Sequence, residues 1–420
     1  MEDQHLSSGN GGGNQAAGQS GTVSAALRRA DLRLYQTARS SYAWLKHERK
    51  ARTGLPLGQK LEMWRRGFFA ESATIYDLPR NDPSEYLSDY QHFVRCGRIN
   101  SWEGLYQRKL GLRSVLLAMG FRQAETMAYI HQRQILLSAF SDNARYVSLE
   151  QLLDLLRGNG QEASYIVKPE DGWCGEDIFL LSWRNGQFLR QRGREVDVFD
   201  YDSYVGNLEE RARREQRDPS GVLIERRLEQ GAFWRGLFPG SANTIRLLTL
   251  WTPGEAAPFI ARAVQRIGTA DTVPTDNWSG GGISAPIERS SGTLGEGRMH
   301  PLKGGRGGQQ HFTHHPDTGA QITGAVLPGW AEITDTVLRV AASLPFNRMA
   351  GWDILVDAEG VPVILEANGN SDVNLLQVHG GLLKDPTIRR FYEAFGVVAR
   401  GRAEPSKKTA TLAAGAGSTS

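Results

Sequence analysis

Two apolar runs near the C-terminal end, residues 352–356 and 361–365, are rich in β-branched side chains. Between them, residues 357–360 read Asp-Ala-Glu-Gly, a composition typical of a tight turn. Strand-forming runs on either side of a turn indicate a β-hairpin. In that hairpin Val356 is expected to pair with Val361.

The polar side chains of this hairpin occur at positions that strand alternation brings together. In the expected register Asp353 and Glu366 share a face, and Asn368 follows two residues later. Three oxygen-bearing side chains of this kind suit a hard cation such as Mg²⁺, whose coordination substrate phosphates and water complete. The alternative is a surface hairpin with solvated acids. It fits Asp357 and Glu359 better than Glu366, which directly follows an apolar run.

Elsewhere the period of the apolar positions predicts helices first and strands later. Helical spacing occurs in residues 116–130 and 149–156. Short β-branched or aromatic runs predict strands at 165–167, 178–181, 222–224, 245–250 and 259–264. This order is typical of an α+β fold, with a helical or mixed N-terminal region before a sheet-based catalytic part.

Both ends of the chain differ in composition from the middle. Residues 1–24 are rich in Gly, Ser, Gln and Asn, and they are expected to be disordered, as is the tail from residue 401. Residues 25–50 place apolar residues at helical spacing opposite a basic face. Two interpretations of this helix stay open: it packs on its own domain with a solvated basic face, or it docks on an anionic membrane or a protein partner.

Overall composition narrows the classes of function. The chain has 40% hydrophobic and 23% charged residues, as ordinary globular proteins do, and its net charge of +3 does not by itself indicate nucleic acid as a partner. With two cysteines, Cys96 and Cys174, a disulfide framework is excluded and a cysteine zinc site is disfavoured. Apolar runs of membrane-spanning length and a signal peptide are both absent from the sequence, so a cytoplasmic location is expected.

A lysine and a glycine-bearing loop follow the first strand of the strand-rich half. Lys168 ends this strand, and the loop after it contains Gly172 and Gly175. A lysine beside unhindered backbone amides suits a phosphate clamp, and the alternative is an edge-strand lysine with an ordinary turn. The sequence has neither GxxxxGK[ST] nor a GxGxxG between strand and helix, so it supports neither a P-loop nor a dinucleotide fold.

Charged residues also interrupt the later strands. Glu225 ends one apolar strand, where it offers an acceptor to an adenine amino group. Arg246 lies inside the next strand, and Arg262 and Arg266 share a face of the one after that. Guanidinium groups bind phosphate and carboxylate bidentately, which suits a substrate that becomes an acyl phosphate. Structural ion pairs are the alternative for each arginine.

Taken in order, these motifs resemble the ATP-grasp superfamily, and within it the sugar-transfer-associated family, which is related to α-L-glutamate ligases. The resemblance rests on VKPEDGWCGEDIFLL, LIERRL, NTIRLLTL, DNWSGGG, HPDTG and the pair GWDILV and VILEANGN, within about residues 65–395. It implies an α+β ATP-grasp fold in which two α+β lobes clasp ATP. The implied divisions are a disordered tail (1–24), a helix-rich region (25–140), a small lobe (141–228), a large lobe (229–400) and a second disordered tail (401–420).

The resemblance implies roles for individual residues as well. The residues that would contact ATP are Lys168, Gly172, Gly175, Glu225, Arg226, Leu228 and, where the superfamily typically has a lysine, Arg113. Those that would carry Mg²⁺ are Asp353, Glu366 and Asn368. Arg246 and Arg266 would face the transferring phosphoryl group and the acyl substrate.

The implied activity is that of an ATP-dependent ligase that joins a carboxylate to an amine or another nucleophile through an acyl phosphate. Its setting would be the biosynthesis of surface polysaccharide or of a peptide-like metabolite. Two alternatives stay open: an ATP-grasp phosphotransferase acting on a hydroxyl, and a non-catalytic nucleotide-binding partner of polysaccharide assembly. After Asn368 the chain continues Gly-Asn-Ser-Asp, where many relatives continue toward Pro-Gly, so the acceptor side is left undefined. The sequence indicates neither the substrates nor an oligomeric state.

Overall fold

A computed structural model of the chain describes residues 46, 48, 53–139, 141–158, 163–171, 177–215, 218, 221–302 and 310–400. In this part of the chain the α-helices are α1 (Leu57–Arg65), α2 (Ala70–Ile75), α3 (Glu103–Gln107), α4 (Lys109–Ala118), α5 (Leu149–Arg157), α6 (Tyr201–Arg214), α7 (Ala232–Leu237), α8 (Trp330–Ser343), α9 (Asn374–Gln377) and α10 (Pro386–Ala394). Short 3₁₀ or π turns span Pro83–Glu85, Gln91–Arg95, Cys96–Arg98, Trp278–Gly280 and Leu382–Lys384.

The strands form two antiparallel sheets. They are β1 (Thr126–His131), β2 (Gln134–Leu137), β3 (Arg145–Val147), β4 (Ser164–Pro169), β5 (Phe179–Arg184), β6 (Gln187–Arg192), β7 (Glu195–Val198), β8 (Val222–Arg226), β9 (Ile245–Leu250), β10 (Phe259–Ile267), β11 (Ile283–Pro286), β12 (Gly297–Met299), β13 (His311–Phe312), β14 (Met349–Val356) and β15 (Pro362–Asn368). The eight-stranded sheet has the order β3-β2-β1-β8-β4-β5-β6-β7, and the seven-stranded sheet has the order β13-β12-β11-β10-β9-β14-β15. The α+β fold class is therefore confirmed.

One face of the eight-stranded sheet is covered by helices. Helix α5 begins at a capping box, in which Ser148 Oγ accepts from the Gln151 backbone N–H and the Gln151 side chain accepts from the Ser148 N–H. Its Leu152 and Leu156 pack into the same apolar core as Tyr204 of α6. The opposite face carries polar side chains that belong to the candidate site.

The seven-stranded sheet is covered differently on its two faces. Helix α8 packs Ile333 and Val337 against one face. On the other face, Leu248 and Val264 pack with residues from both ends of the described chain, including Phe68 and Phe391. The same face also carries charged residues that are not part of this apolar core. The two ends of the described chain thus cover part of this face, and its charged residues lie outside the apolar core.

The helix predicted at residues 116–130 is wrong. Helix α4 ends at Ala118, Gly120 adopts a left-handed φ of +78°, and residues from Thr126 form β1. The apolar residues here fit both the spacing of a helix and the alternation of a strand, and the glycine decides where the helix ends. Strands β1 and β2 therefore fall inside the range 25–140 that was predicted to be helix-rich. The helix predicted at 149–156 and the strands predicted from 165 to 264 are present.

The C-terminal hairpin has the predicted polar face but not the predicted register. Val356 pairs with Pro362 and not with Val361, so the predicted pairing is wrong. The loop is one residue longer because the Asp357 side chain accepts hydrogen bonds from two backbone N–H groups within it. The longer loop alone would turn Glu366 away from Asp353. A bulge between Asp353 and Ile354 corrects this, and Asp353 lies directly opposite Glu366.

Several predictions concern residues outside the described part. They are the disordered tails at 1–24 and 401–420, the basic helix at 25–50 except residues 46 and 48, and the loop with Gly172 and Gly175. Among the described helices, none combines the length and the apolar character that crossing a membrane requires.

Candidate active site

A cluster of buried charges lies on the polar face of the eight-stranded sheet. Lys168 Nζ is 2.8 Å from Glu225 Oε2, and Arg113 of α4 donates to Glu225 Oε1 and to Thr126 Oγ1. All four side chains are buried. We call Lys168, Glu225, Arg113 and Thr126 the Lys168 cluster. It joins three of the residues predicted to contact ATP.

Strand pairing explains this grouping. Glu225 pairs with Ile166, so Lys168, two residues further along β4, shares its face. On the other side Glu225 pairs with Thr126, next to an irregularity in β1 that turns Thr126 to the polar face. Helix α4 then supplies Arg113 from above the sheet. The sequence of each strand alone does not show these pairings.

The Lys168 cluster has an excess of one positive charge. Burial would raise the pKa of Glu225, but Lys168 and Arg113 outweigh it and hold that pKa below its usual value. Burial lowers the pKa of Lys168, although Glu225 opposes the shift. Two cations that share one carboxylate in a buried site are well suited to bind an additional anion such as a phosphate.

A second cluster lies on the polar face of the seven-stranded sheet. Arg246 forms a bidentate ion pair with Asp353, at 2.6 Å from Nε to Oδ1 and 2.8 Å from Nη2 to Oδ2. Arg266 Nη1 lies 3.1 Å from Asp353 Oδ1, and its Nη2 lies 2.7 Å from Asp276 Oδ1. We call Asp353, Arg246, Arg266 and Asp276 the Asp353 cluster. Burial would raise the pKa of Asp353, but the two arginines hold it well below the usual range.

Neighbouring residues fix the arginines of this cluster. Asp276 accepts hydrogen bonds from the N–H and the hydroxyl of Thr244, at 2.7 and 2.6 Å. Arg246 Nη1 donates to Ser371 Oγ at 3.0 Å. A side chain at Gly351 would collide with Ser371, so the glycine permits this contact. The guanidinium groups are therefore oriented before any ligand binds.

The three predicted metal ligands lie side by side on β14 and β15. Asp353 pairs with Glu366, and Gly351 pairs with Asn368, so the three side chains share a face. Asn368 Nδ2 lies 3.4 Å from Glu366 Oε1, which leaves the Asn368 amide oxygen free as a ligand. Glu366 is 32% exposed. Both residues fit Mg²⁺, whereas Asp353 fits only if it shares its oxygens with Arg246 and Arg266.

Asp353, Glu366 and Asn368 alone offer few ligands for a metal ion. Within the described residues no group of three or more His, Cys, Asp and Glu side chains could hold a metal ion. Two carboxylates and an amide match a Mg²⁺ site in which substrate phosphates and water supply the other ligands. The assignment of Asp353, Glu366 and Asn368 as metal ligands stays a prediction.

Lys109 lies between the two clusters, and the sequence reasoning missed it. Its Nζ is 3.7 Å from Glu366 Oε2, and its charge also acts on Lys168. Lys109 is the first residue of α4 and precedes Arg113 by four positions, so both cations project from one side of the helix. That i, i+4 spacing was a signal available in the sequence. Lys109 thus links the C-terminal hairpin, with its predicted metal ligands, to the residues predicted to bind phosphate.

If Lys109 contacts an ATP phosphate, replacing it with methionine is expected to lower kcat/KM for ATP by about 10- to 100-fold, because the charge-assisted contact would be lost. Steady-state kinetics with varied ATP measures this. Lys384→Met is a matched control, since Lys384 is 73% exposed and its ion pair, at 3.9 Å, is with Glu85, which belongs to neither cluster. Equal kcat/KM for the two variants would contradict a role for Lys109 at the phosphates.

The structure says less about the other residues predicted to contact ATP and about the adenine contact. Arg226 is exposed and pairs with Glu125 at 2.8 Å, and Leu228 is half-buried. The carboxylate of Glu225 already accepts from Lys168 and Arg113, so its contact to adenine stays a prediction. Gly172 and Gly175 lie outside the described residues.

Comparison with known proteins gives one family match. The model of the family described as sugar-transfer associated ATP-grasp matches residues 106–388, which is more than half of the chain. A search among curated proteins finds no match.

Similar solved structures include an L-amino acid ligase from Bacillus licheniformis, with 12% identity, 64% of this chain and 44% of that chain covered, and a TM-score of 0.32. The D-alanine-D-alanine ligase from Coxiella burnetii has 11% identity, covers 72% of this chain and 60% of that one, and has a TM-score of 0.31. D-cycloserine synthetase DcsG has 14% identity, the match covers 80% of this chain and 94% of that one, and the TM-score is 0.35. The chain thus spans less than two thirds of the first two proteins, and the inferences below rest on the family match and the site geometry.

Proposed function

The chain belongs to the sugar-transfer associated ATP-grasp family, and from this premise we propose that it is an ATP-dependent ligase that activates a carboxylate as an acyl phosphate. A nucleophile, most simply an amine, then captures the acyl group. The observation that supports the proposal is the placement of Lys109 between a buried cluster with excess positive charge and a hairpin that carries two carboxylates and an amide on one face. ATP phosphates that extend from Lys168 toward Glu366 would pass Lys109.

The reaction balances with the groups that this site offers. A substrate carboxylate oxygen forms a bond to the γ-phosphorus, the bond from that phosphorus to the β–γ bridging oxygen breaks, and ADP leaves. The nucleophile next attacks the acyl carbon, its proton is lost, and inorganic phosphate departs. Neither step needs a protein nucleophile, because phosphoryl transfer depends mainly on positioning and on neutralising charge. Bound Mg²⁺ would supply part of that neutralisation.

Arg246 and Arg266 are suited to neutralise the rest of the negative charge on the transferring phosphoryl group. Both guanidinium groups are held in place by Asp353, and Arg266 also by Asp276. In the described part of the chain, the Nε–H of Arg266 is buried and has no acceptor. An unpaired buried donor is costly unless a ligand satisfies it. Its position in the Asp353 cluster fits an oxygen of the transferring phosphoryl group or of the acyl substrate.

Trapping with hydroxylamine tests the proposed intermediate. The protein, Mg²⁺, ATP and pooled carboxylic acids are incubated with hydroxylamine, and hydroxamate and inorganic phosphate are measured. Hydroxylamine captures an acyl phosphate, so we expect hydroxamate and phosphate in equal amounts with a subset of the pools. The family's description as sugar-transfer associated makes acids and acceptors from saccharide and peptide-like metabolism the first pools to test.

The same assay separates the alternatives. ADP formation with a phosphorylated hydroxyl compound, and without hydroxamate or free phosphate, would show a phosphotransferase. Binding of Mg·ATP without turnover in any acid, amine or hydroxyl pool would favour a non-catalytic nucleotide-binding partner. Absence of Mg·ATP binding would contradict the proposal altogether.

A further inference from the structure

The polar face of the seven-stranded sheet continues beyond the Asp353 cluster. Arg266 on β10 pairs with Ser284 on β11, and Ser284 pairs with Arg298 on β12. Directly paired residues share a face, so the three side chains form a row that leads away from the metal-ligand hairpin. Arg262 shares this face, because it lies four residues before Arg266 on β10. The row extends the polar face by two strands beyond β10.

Two arginines of this region differ from those in the Asp353 cluster. Arg246 and Arg266 are matched by carboxylates, whereas neither Arg262 nor Arg298 has a carboxylate within 4.0 Å among the described residues. Both are half-buried. Arg298 donates from Nη1 to the carbonyl of Val378, and Arg262 Nη2 lies 3.5 Å from the carbonyl of Gly381. Each guanidinium therefore retains most of its five donors.

One of the remaining donors is buried. The Nε–H of Arg298 is inaccessible to solvent and has no acceptor in the described part of the chain. Burial lowers the pKa of Arg262, and the neighbouring charge of Arg289 lowers it further. Asp385 opposes this shift from a distance, but no carboxylate pairs directly with either arginine in the described part of the chain. A half-buried cation without a paired carboxylate, together with an unsatisfied buried donor, is unfavourable in the free protein. A bound anion would relieve both costs.

His379 lies in the same region and is neutral. Ser284 Oγ donates to the Leu375 carbonyl at 3.0 Å, so its single proton is used and it must accept from His379 Nε2, also at 3.0 Å. The proton of the imidazole is therefore on Nε2, and Nδ1 is an acceptor. Burial lowers the pKa of His379 to about 3, and Arg298 and Arg262 contribute to the shift. His379 thus adds no charge to the region, and its Nδ1 is an acceptor for a hydroxyl of a bound ligand.

We propose that Arg262, Arg298 and His379 form a subsite that holds a phosphate or carboxylate group of the acceptor substrate. The proposal rests on the proposed function, because it assigns the second substrate of the same site. Strands β14 and β12 are four strand spacings apart, or about 19 Å between backbones, and side chains from both ends shorten this gap. The acceptor is therefore an extended molecule with an anionic group remote from its nucleophile. A sugar phosphate and a peptide with a free carboxylate both have this form.

Calorimetric titration of the full chain with inorganic phosphate, and separately with glutarate, tests the subsite. The ATP site is first saturated with Mg²⁺ and a non-hydrolysable ATP analogue, so that the anion cannot bind at Lys168 or Arg266. We expect one anion-binding site in the wild-type protein. Tighter binding of phosphate would indicate a phosphorylated acceptor, and tighter binding of glutarate would indicate a carboxylate.

Arg298→Gln is expected to weaken anion binding at least about 10-fold, and Arg298→Lys, which keeps the charge, is expected to retain part of the affinity. Arg289→Gln is the matched control. Arg289 is close enough to act on Arg262 but pairs with Asp385 at 3.3 Å, so its loss should change the affinity less than about threefold. Circular dichroism checks that each variant folds.

Three results would overturn the subsite: no binding of either anion to wild-type protein, equal binding by Arg298→Gln, or binding that disappears when the ATP analogue is present. Binding of the analogue itself is measured first in the same instrument. If the analogue fails to bind, the proposed function fails, while the difference in anion binding between the wild type and Arg298→Gln, measured without the analogue, still reports on the subsite.

Discussion

Changing Glu366 to glutamine is expected to lower ATP turnover by at least about 100-fold, since each group that stabilises developing charge in such a site contributes that much. Unlike Asp353, Glu366 forms no direct ion pair with Arg246 or Arg266 in the described part of the chain, although both charges act on it, and at 32% exposure it is accessible to a metal ion. Glutamine keeps the shape of the side chain and removes its charge. The variant should also need more Mg²⁺ for half-maximal activity. Phosphate release at several Mg²⁺ concentrations measures both effects.

Stability should change little in this variant. The ion pair between Glu366 and Lys109 is 3.7 Å long, and loose, partly exposed pairs contribute about 1 kcal/mol or less. Glu359→Gln provides the control, because Glu359 lies in the turn of the same hairpin, is 69% exposed and pairs with Arg122. Its turnover should equal that of the wild type. If Glu366→Gln and Glu359→Gln were equally active, the metal site would have to lie elsewhere.

The hairpin illustrates how far sequence reasoning reaches. Alternation placed Asp353 and Glu366 on one face, and the structure agrees. The route to that result was wrong, because the loop is one residue longer than predicted and a bulge compensates for it. A bulge is difficult to predict from a strand's own sequence, since it depends on how two strands fit together. The functional grouping was therefore more predictable than the pairing that produces it.

Ion pairs between residues distant in sequence were harder to predict. Arg113 and Glu225 are 112 residues apart, and their contact depends on the place of β8 between β1 and β4. Local sequence does not encode a strand order in which β8 follows β1 in space. Likewise, the alternatives for Arg246 and Arg266 were phosphate contacts or structural ion pairs. The structure shows ion pairs, which orient the guanidinium groups and are compatible with phosphate binding.

Lys109 was missed for a different reason. The family resemblance gave one candidate in this region, Arg113, and the helix predicted from the apolar spacing began too late, at residue 116. With the observed bounds of α4, Lys109 and Arg113 are separated by one helical turn and contact different sheets. An error in a helix boundary thus removed a candidate for the site. The apolar residues after Leu116 explain only the other error, the predicted end at residue 130, because they fit a helix and a strand equally well.

The largest loss of stability is expected for Glu225→Gln, at about 3–5 kcal/mol, because it breaks a buried ion pair and leaves its partners uncompensated. Glu225 is 3% exposed, and its two oxygens bind Lys168 and Arg113, which are 6% and 4% exposed. Glutamine cannot balance either charge. Unfolding by urea, followed by circular dichroism, gives the free energy of unfolding for both proteins.

A second substitution separates charge from packing. If the uncompensated charge causes the loss, Lys168→Met in the Glu225→Gln background should recover part of the stability, since one buried cation is removed. Glu125→Gln is the control for losing a glutamate near the end of β8. Glu125 directly precedes β1, is 61% exposed and pairs with Arg226, so its substitution should lower the free energy of unfolding by about 1 kcal/mol or less. Equal stability of Glu225→Gln and Glu125→Gln would mean that water reaches the Lys168 cluster. Its excess charge would then be screened, and the argument for phosphate binding there would be weaker.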